Sequence, residues 1–149
     1  MNNSLILIAS DHRGFSLKAK IILWLKENNF DYRDFGPDNE NRCDASDYAI
    51  KVVDAMREDT TAKGILVCGT GQAMAMTSNR FKGIRAAVCT DSTTARLARQ
   101  HNDANVLALG AAVIGEEVVI DCVETFLKTE AFGGRYVDRR VKLEKLGGL

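Results

Sequence analysis

The 149-residue sequence has no excess of charge of either sign, since 20 Lys and Arg residues balance 20 Asp and Glu residues. A neutral surface argues against nucleic acid or an anionic membrane as the main partner, because both favour a basic field. The sequence also lacks the apolar run of about 18 residues that a membrane-spanning helix needs. No basic segment precedes the short apolar run at residues 5–9, as it would in a signal peptide. We therefore expect a cytoplasmic protein with no nucleic-acid or membrane partner.

Cysteine is scarce and widely spaced, at positions 43, 68, 89 and 122. The absence of any CxxC pair excludes the usual redox and zinc motifs. We expect reduced thiols, most of them serving as small buried hydrophobic residues, and no metal site.

No internal repeat, low-complexity tract or linker interrupts the sequence, which predicts one domain over residues 1–149. Short apolar runs alternate instead with longer amphipathic segments. The runs predict strands at residues 5–9, 32–35, 65–68, 84–89 and 106–109. The segments predict helices at about 17–27, 46–57, 92–100 and 115–128, a helix after Gly71, and a C-terminal helix within 137–146. Strict alternation predicts a doubly wound, Rossmann-like α/β sandwich with a five-stranded parallel sheet.

In such a fold, ligands bind beyond the carboxyl ends of the strands. The turn that follows the third strand, Gly69-Thr70-Gly71, is glycine-rich, so its amide groups can approach a ligand at the start of the next helix. That arrangement suits a phosphate or an oxyanion that forms during a reaction. It lacks the Lys-Ser/Thr of a Walker motif and does not follow the first strand, as a dinucleotide fingerprint would. A turn of this kind also serves packing alone.

Three further features leave alternatives open. Cys68 lies beside a helix N-terminus, where a thiolate can act as a base or nucleophile, or it is simply a buried strand-end residue. The two histidines, His12 and His101, have polar neighbours at expected loop positions, so a functional role competes with a structural one. Arg135 and Arg139 lie one helical turn apart, where they can hold one phosphate or belong to a solvated basic tail.

Five segments, taken together, resemble ribose-5-phosphate isomerase type B, of the family that also contains the galactose-6-phosphate isomerase subunits. They occur in the family's order and extend over almost the whole chain. The segments are Ser10-Asp11-His12-Arg13-Gly14, Cys68-Gly69-Thr70-Gly71, Asn79-Arg80-Phe81-Lys82-Gly83-Ile84-Arg85-Ala86, His101-Asn102-Asp103-Ala104-Asn105-Val106-Leu107 and Gly133-Gly134-Arg135.

The resemblance implies an isomerase in which Cys68 carries a proton between the first two sugar carbons through an enediolate. It implies that Thr70 orients the sugar and that His101 donates a proton during opening of the furanose ring. Backbone amides would stabilise the enediolate oxygen, and the resemblance assigns this role to Gly69, Gly71, Gln72 and Ala73, with Thr70 between them. No metal or organic cofactor is implied.

The resemblance also implies a binding shell and an oligomer. Asp11 and His12 would contact the sugar, and Asn102 would lie beside His101. Arg135 and Arg139 would hold the phosphate. Members of the family are homodimers or dimers of dimers whose sites combine residues of two chains, so we expect the chain's partners to be a phosphorylated sugar and a second copy of itself.

Five positions depart from the family pattern. Ala45 replaces an aromatic residue before the second helix, Ala73 replaces a glycine of the turn, Ala112 replaces an arginine and Tyr136 replaces a histidine. Gln72 lies where some members that lack the cysteine carry a carboxylate. We expect interconversion of ribose 5-phosphate and ribulose 5-phosphate in the pentose phosphate pathway. The alternatives are another phosphosugar, such as a hexose 6-phosphate, in a pocket enlarged at Ala45 and Ala112, or a sugar-phosphate-binding paralogue without catalysis.

Overall fold

The computed structural model describes residues 4–149. Residues 1–3, on which the expectation of no signal peptide partly depends, lie outside that range. The strands are β1 (Ile6–Ser10), β2 (Tyr32–Asp34), β3 (Lys63–Cys68), β4 (Ala86–Val88) and β5 (Val106–Gly110). The helices are α1 (Phe15–Glu27), α2 (Ala45–Glu58), α3 (Gln72–Ser78), α4 (Ser92–Asn102), α5 (Glu116–Lys128) and α6 (Arg135–Glu144).

The strands form one sheet in the order β2-β1-β3-β5-β4, and all pairs are parallel. Strand β3 lies at the centre, with Ser10 of β1 beside Val67 and Gly110 of β5 beside Cys68. The carboxyl ends of β1, β3 and β5 therefore meet at one edge of the sheet, where this fold binds ligands.

Both faces of the sheet are covered. Alternate residues of β1 show this, since Ile6 and Ile8 pack on the side of α1, α4 and α5, whereas Leu7 and Ala9 pack on the side of α2 and α3. All four are at most 2% exposed. Continuous apolar strands are typical of parallel sheets buried on both faces. The structure confirms the predicted doubly wound α/β sandwich with a five-stranded parallel sheet.

Side-chain caps fix where two helices begin. The Asp44 carboxylate accepts a hydrogen bond from the Ser46 amide at 3.0 Å at the start of α2. At the start of α4, Asp91 and Thr94 form a reciprocal capping box, with 2.6 Å between the Asp91 carboxylate and the Thr94 amide. These caps satisfy amides that have no partner within the helix, which explains why the predicted starts lie within one residue of the observed ones.

Strand β4 is shorter than the predicted residues 84–89. The Ile84 amide donates to the Phe81 carbonyl at 3.2 Å, which makes Ile84 part of a turn. The side chain of Asn79 then bonds both the amide and the carbonyl of Ala86, at 2.7 and 2.9 Å. Strand pairing begins only beyond this turn, which an apolar run in the sequence does not reveal.

The predicted burial of most cysteines is confirmed: Cys68, Cys89 and Cys122 are buried and Cys43 is half-buried. All four are free thiols in the structure. Among residues 4–149, no helix combines the length and the apolar composition needed to cross a membrane.

Candidate active site

Cys68 is the last residue of the central strand, and its side chain is 4% exposed. The chain then turns sharply, and the Gly71 amide donates a hydrogen bond to the Cys68 sulfur at 3.1 Å. Gly71 has a φ of +78°, and a Cβ there would lie 3.2 Å from the backbone of Leu109. Only glycine meets both constraints without strain. An N–H aimed at sulfur stabilises negative charge there, as a proton-abstracting base requires.

The amides predicted to hold an oxyanion divide into two groups. Those of Gly71 and Gln72 have partners within the turn, namely the Cys68 sulfur and the Thr70 hydroxyl, at 3.1 and 3.3 Å. The amides of Gly69, Thr70 and Ala73 donate to no acceptor among residues 4–149. The free N–H groups of the turn are therefore fewer than the sequence suggests.

Asp11 and His12 follow β1, and Asp11 lies against the end of β3. The Asp11 amide donates to the Val67 carbonyl at 3.0 Å, and its buried carboxylate accepts from the Gly14 amide at 3.0 Å. That carboxylate holds its own loop at the start of α1. The predicted contact of Asp11 with the sugar stays a prediction.

The half-buried ring of His12 is fixed by the loop that follows β2. Its Nδ1 accepts the Cys43 amide hydrogen at 3.3 Å, which leaves Nε2 as the nitrogen able to face a ligand. Lys18 anchors the same loop, because its buried ammonium group bonds Asp34 at 2.8 Å and the Pro37 carbonyl at 2.7 Å. This loop therefore orients the imidazole from outside the motif that contains it.

Arg13 also belongs to this region, although the sequence analysis gave it no role. Its exposed guanidinium lies where a side chain of Gly69 would be, so that a Cβ at Gly69 would lie 2.4 Å from Nη1 of Arg13. We call Asp11, His12, Arg13 and the turn Cys68–Ala73 the Cys68 half of the site. Only the fold brings Arg13 to Gly69, so no sequence spacing signals it.

His101 and Asn102 lie in the last turn of α4, whereas the predicted helix ended at residue 100. Two contacts of buried Arg99 extend the helix: its guanidinium bonds Asp103 at 2.7 Å and the Ala104 carbonyl at 2.6 Å. Asp103 then leaves the helix in the left-handed conformation, with a φ of +48°. His101 therefore lies on a regular turn of α4, which fixes the direction of its side chain.

An aromatic stack holds His101. The ring of Tyr136 lies parallel to it, with 4.9 Å between centroids and 11° between planes, and Phe132 lies tilted at 6.1 Å. Both guanidinium groups predicted to bind phosphate flank Tyr136: Arg135 at 5.3 Å and Arg139 at 5.6 Å from its centroid. Tyr136, which replaces the histidine of the family pattern, thus places an aromatic ring at the centre of this cluster.

Polar contacts complete the cluster. Arg135 donates to the Tyr136 hydroxyl at 3.4 Å, and this bond raises the pKa of the Arg135 guanidinium. Arg85 joins two elements, since it bonds the Asp103 carbonyl at 2.9 Å and the carboxylate of Glu144 in α6. We call His101, Asn102, Phe132, Arg135, Tyr136 and Arg139 the His101 half. The spacing of Arg135 and Arg139 was visible in the sequence, but the role of Phe132 was not.

The two halves lie at opposite edges of the sheet. Cys68 pairs with Gly110 at the carboxyl end of β5, whereas His101 precedes the amino end of the same strand. Five residues of parallel strand at about 3.3 Å each separate those ends. A cavity of about 470 Å³ beside α6 is lined by Asn102 and Arg85 but not by Cys68. One chain therefore does not bring all the predicted site residues together. Among residues 4–149, no three His, Cys, Asp or Glu side chains form a group suited to a metal ion.

The chain is similar to known proteins over most of its length. Residues 6–143 match the model of the Ribose/Galactose Isomerase family. Ribose-5-phosphate isomerase B of Escherichia coli is 40% identical over 134 residues, which are 90% of each chain. The structure of ribose-5-phosphate isomerase B from Clostridium thermocellum superposes with a TM-score of 0.93 at 42% identity, covering 95% of this chain and 96% of that one. Ribose-5-phosphate isomerase B from Mycoplasma genitalium, solved with bound ribulose-5-phosphate, gives a TM-score of 0.91 at 39% identity and covers 95% of this chain and 94% of that one.

Proposed function

The chain belongs to the ribose/galactose isomerase family, and we propose that it is a sugar-phosphate isomerase that interconverts ribose 5-phosphate and ribulose 5-phosphate. The observation that carries the proposal is the Gly71 N–H directed at the buried Cys68 sulfur at 3.1 Å, at the carboxyl edge of the sheet. Aldose–ketose isomerisation requires a base and N–H donors for the developing oxyanion. The relative with bound ribulose-5-phosphate supports this choice of sugar.

The reaction begins with ring opening, in which His101 gives a proton to the ring oxygen while a solvent water takes the proton of the C1 hydroxyl. Solvent then returns a proton to His101. The Cys68 thiolate then removes the proton from C2 of the open aldose, and the electron pair passes through an enediolate to O1. The free amides of Gly69, Thr70 and Ala73 stabilise that oxygen. Cys68 returns the proton to C1, and transfer of the O2 proton to O1 completes the ketose.

A second copy of the chain supplies what one copy lacks. Because the two halves face opposite edges, a two-fold symmetric pair can bring each His101 half to the other chain's Cys68 half and complete two sites. Helix α6 has no buried residue, and its Val137 and Val141 are 41% and 46% exposed. Such an apolar stripe is typical of a helix that packs on a partner. The protein is accordingly a homodimer, or a dimer of dimers.

In that assembly the binding shell also comes from two chains. Asp11 and His12 contact the sugar from the Cys68 half. From the His101 half, Asn102 lies beside the ring-opening histidine, and Arg135 and Arg139 hold the phosphate. The reaction needs no metal or organic cofactor, and we place the enzyme in the cytoplasm and in the pentose phosphate pathway.

The proposal is tested by the conversion of ribose 5-phosphate to ribulose 5-phosphate by the purified protein and its Cys68→Ala variant. Loss of a positioned general base is expected to lower kcat by about 10²–10⁴-fold. The matched control is Cys43→Ala, which removes a half-buried thiol but keeps the amide that bonds His12.

Three results would contradict the proposal in different ways. A Cys68→Ala variant within a few fold of wild type would remove Cys68 as the base. Binding without turnover would indicate a sugar-phosphate-binding paralogue. A higher kcat/KM for a hexose 6-phosphate than for ribose 5-phosphate would show that the protein is an isomerase with a different substrate. That result is expected if Ala45 and Ala112 enlarge the pocket.

A further inference from the structure

Arg13 presents a guanidinium group on the outer side of the turn that holds Cys68. A Cβ built on Gly69 would lie 2.4 Å from its Nη1, 2.6 Å from Cζ and 2.9 Å from Nε, so the whole guanidinium plane covers Gly69. The side chain is exposed. The contact is possible because position 69 carries no side chain.

This guanidinium has no counterion. Within residues 4–149, no carboxylate forms an ion pair with Arg13, whereas Arg85 and Arg99 each bond an acidic side chain. The nearest carboxylate in sequence, Asp11, accepts the Gly14 amide hydrogen at Oδ1 and forms no ion pair with Arg13. Arg13 therefore contributes a positive charge that nothing in the described chain neutralises, next to the proposed base.

Gly69 also links Arg13 to a second loop, the one that follows β5. The Gly69 carbonyl accepts the Ala112 amide hydrogen at 2.9 Å, so the loops after β1 and β5 meet at this glycine. The Ala112 side chain is exposed and uncharged. Arg13 is thus the cation that these two loops present around the Cys68 turn.

Resting on the proposed function, we propose that Arg13 is a further substrate-binding residue that donates hydrogen bonds to the phosphate of the sugar phosphate from the Cys68 half. The phosphate is the group of the substrate that stays fully charged throughout the reaction. A planar guanidinium with parallel N–H donors matches phosphate oxygens. The Cys68 sulfur is buried and accepts a hydrogen bond from the Gly71 amide, whereas Arg13 is exposed and open to a ligand from solvent.

The consequence is a phosphate held from both chains of the dimer. Arg135 and Arg139 approach it from the His101 half, and Arg13 approaches it from the chain that supplies Cys68. Binding of the phosphate then joins the two halves across the interface instead of depending on α6 alone.

The test measures KM and kcat for ribose 5-phosphate, and inhibition by inorganic phosphate, in wild type, Arg13→Gln and Arg13→Lys. Loss of a charge-assisted phosphate contact is expected to raise KM and the phosphate inhibition constant about tenfold to a hundredfold in Arg13→Gln, with kcat changed much less. Arg13→Lys keeps the charge but not the parallel donors, so its constants should lie between the two.

The matched control is Arg57→Gln, which removes the same charge near the end of α2, at the opposite edge of the sheet, and should change neither constant. A second variant, Arg13→Gln/Ala112→Arg, returns a guanidinium from the other side of Gly69 and should recover part of the lost affinity. Because Arg13 and Ala112 are both exposed, neither change should affect folding, which thermal unfolding checks.

Unchanged KM and phosphate inhibition in Arg13→Gln would overturn this inference and leave the isomerase proposal intact. A fall in kcat at constant KM would also overturn it, since Arg13 would then act on the reacting carbons. If the wild type does not turn over ribose 5-phosphate, the proposed function fails. Equilibrium titration of the wild type and of Arg13→Gln with inorganic phosphate still decides the role of Arg13.

Discussion

The Cys68 half and the His101 half are built by different means. The Cys68 half stands at the ends of strands that are buried on both faces, and backbone amides and glycines define it. The His101 half stands at the ends of two helices, where a stacked ring and guanidinium groups define it. The core of one chain is enough to fix the first half. The second depends on surface side chains, and we infer that it becomes a site only against another copy.

Helix α6 shows how little one chain contributes to the second half. No residue of α6 is buried, and Arg85 connects it to the body of the protein through Glu144. Partly exposed ion pairs of this kind usually stabilise a protein by about 0–1 kcal/mol. Within one chain, Arg135 and Arg139 are therefore positioned by this ion pair and by the stack of Tyr136 on His101, and in the proposed dimer also by what covers the apolar stripe.

The largest expected effect tests whether the two halves of one site belong to different chains. Cys68→Ala and His101→Ala should each lower kcat by about 10²–10⁴-fold, because each removes a proton-transfer group. Mixed in equal amounts and refolded together, they should regain roughly a quarter of wild-type activity, because half of the dimers carry one intact site. Mixtures that regain nothing, while native mass spectrometry shows that heterodimers form, would place both groups of a site in one chain.

A second prediction concerns the exposed apolar stripe of α6, which contains Val137 and Val141. Val141→Glu places a charge on the exposed face of α6 and should raise the dimer dissociation constant at least about tenfold, since burial of a valine side chain contributes about 1.5–3 kcal/mol. Sedimentation velocity measures this change, and specific activity should fall on dilution. Leu23→Glu changes a 56% exposed residue of α1 and serves as the control. A Val141→Glu protein that stays dimeric and active at every concentration would exclude α6 from the interface.

A smaller effect tests the stack that orients His101. Tyr136→Leu should lower kcat/KM about twofold to tenfold, since an aromatic pair contributes about 0.5–1.5 kcal/mol beyond burial. Tyr136→Phe keeps the ring and should remain near wild type, although it loses the hydroxyl bonded to Arg135. Equal activity of all three proteins in the ribose 5-phosphate assay would show that the stack does not position the histidine.

The last prediction concerns the apolar core between the sheet and helices α1, α4 and α5, where Cys89 and Cys122 lie, whereas Cys68 faces the core on the other side of the sheet. Burial raises the pKa of the Cys89 thiol from 9.0 to about 11 and that of Cys122 from 9.0 to about 12. The unfolded chain therefore loses these protons first, and the free energy of unfolding should fall as the pH rises from about 9 to 12.

Urea unfolding at several alkaline pH values measures this slope. Cys122→Ala should be less stable at neutral pH but should lose less stability as the pH rises, because one titrating thiol is gone. Cys43→Ala, in a half-buried position, should keep the wild-type slope. A Cys122→Ala slope equal to that of wild type would show that this thiol does not contribute.

Sequence alone predicted most of the Cys68 half and much less of the other. Continuous apolar runs located β3, and the glycines after it located the turn. The same reasoning ended α4 at residue 100, because the contacts of Arg99 with Asp103 and Ala104 are not visible as a helical pattern. No pattern in the sequence indicated a role for Arg13, and Tyr136 differed from the family pattern without indicating a stack.

The sequence by itself determined the alternation of strands and helices, the parallel sheet and the placement of Cys68 at its carboxyl edge. Those properties follow from periodicity and chain direction, which neighbouring residues define. Only the tertiary structure decided that β5 lies between β3 and β4, that Arg13 covers Gly69, and that His101 stacks on Tyr136 at the far edge. Such contacts join residues distant in sequence, and strand order, packing and side-chain direction decide them together, so no local pattern records them.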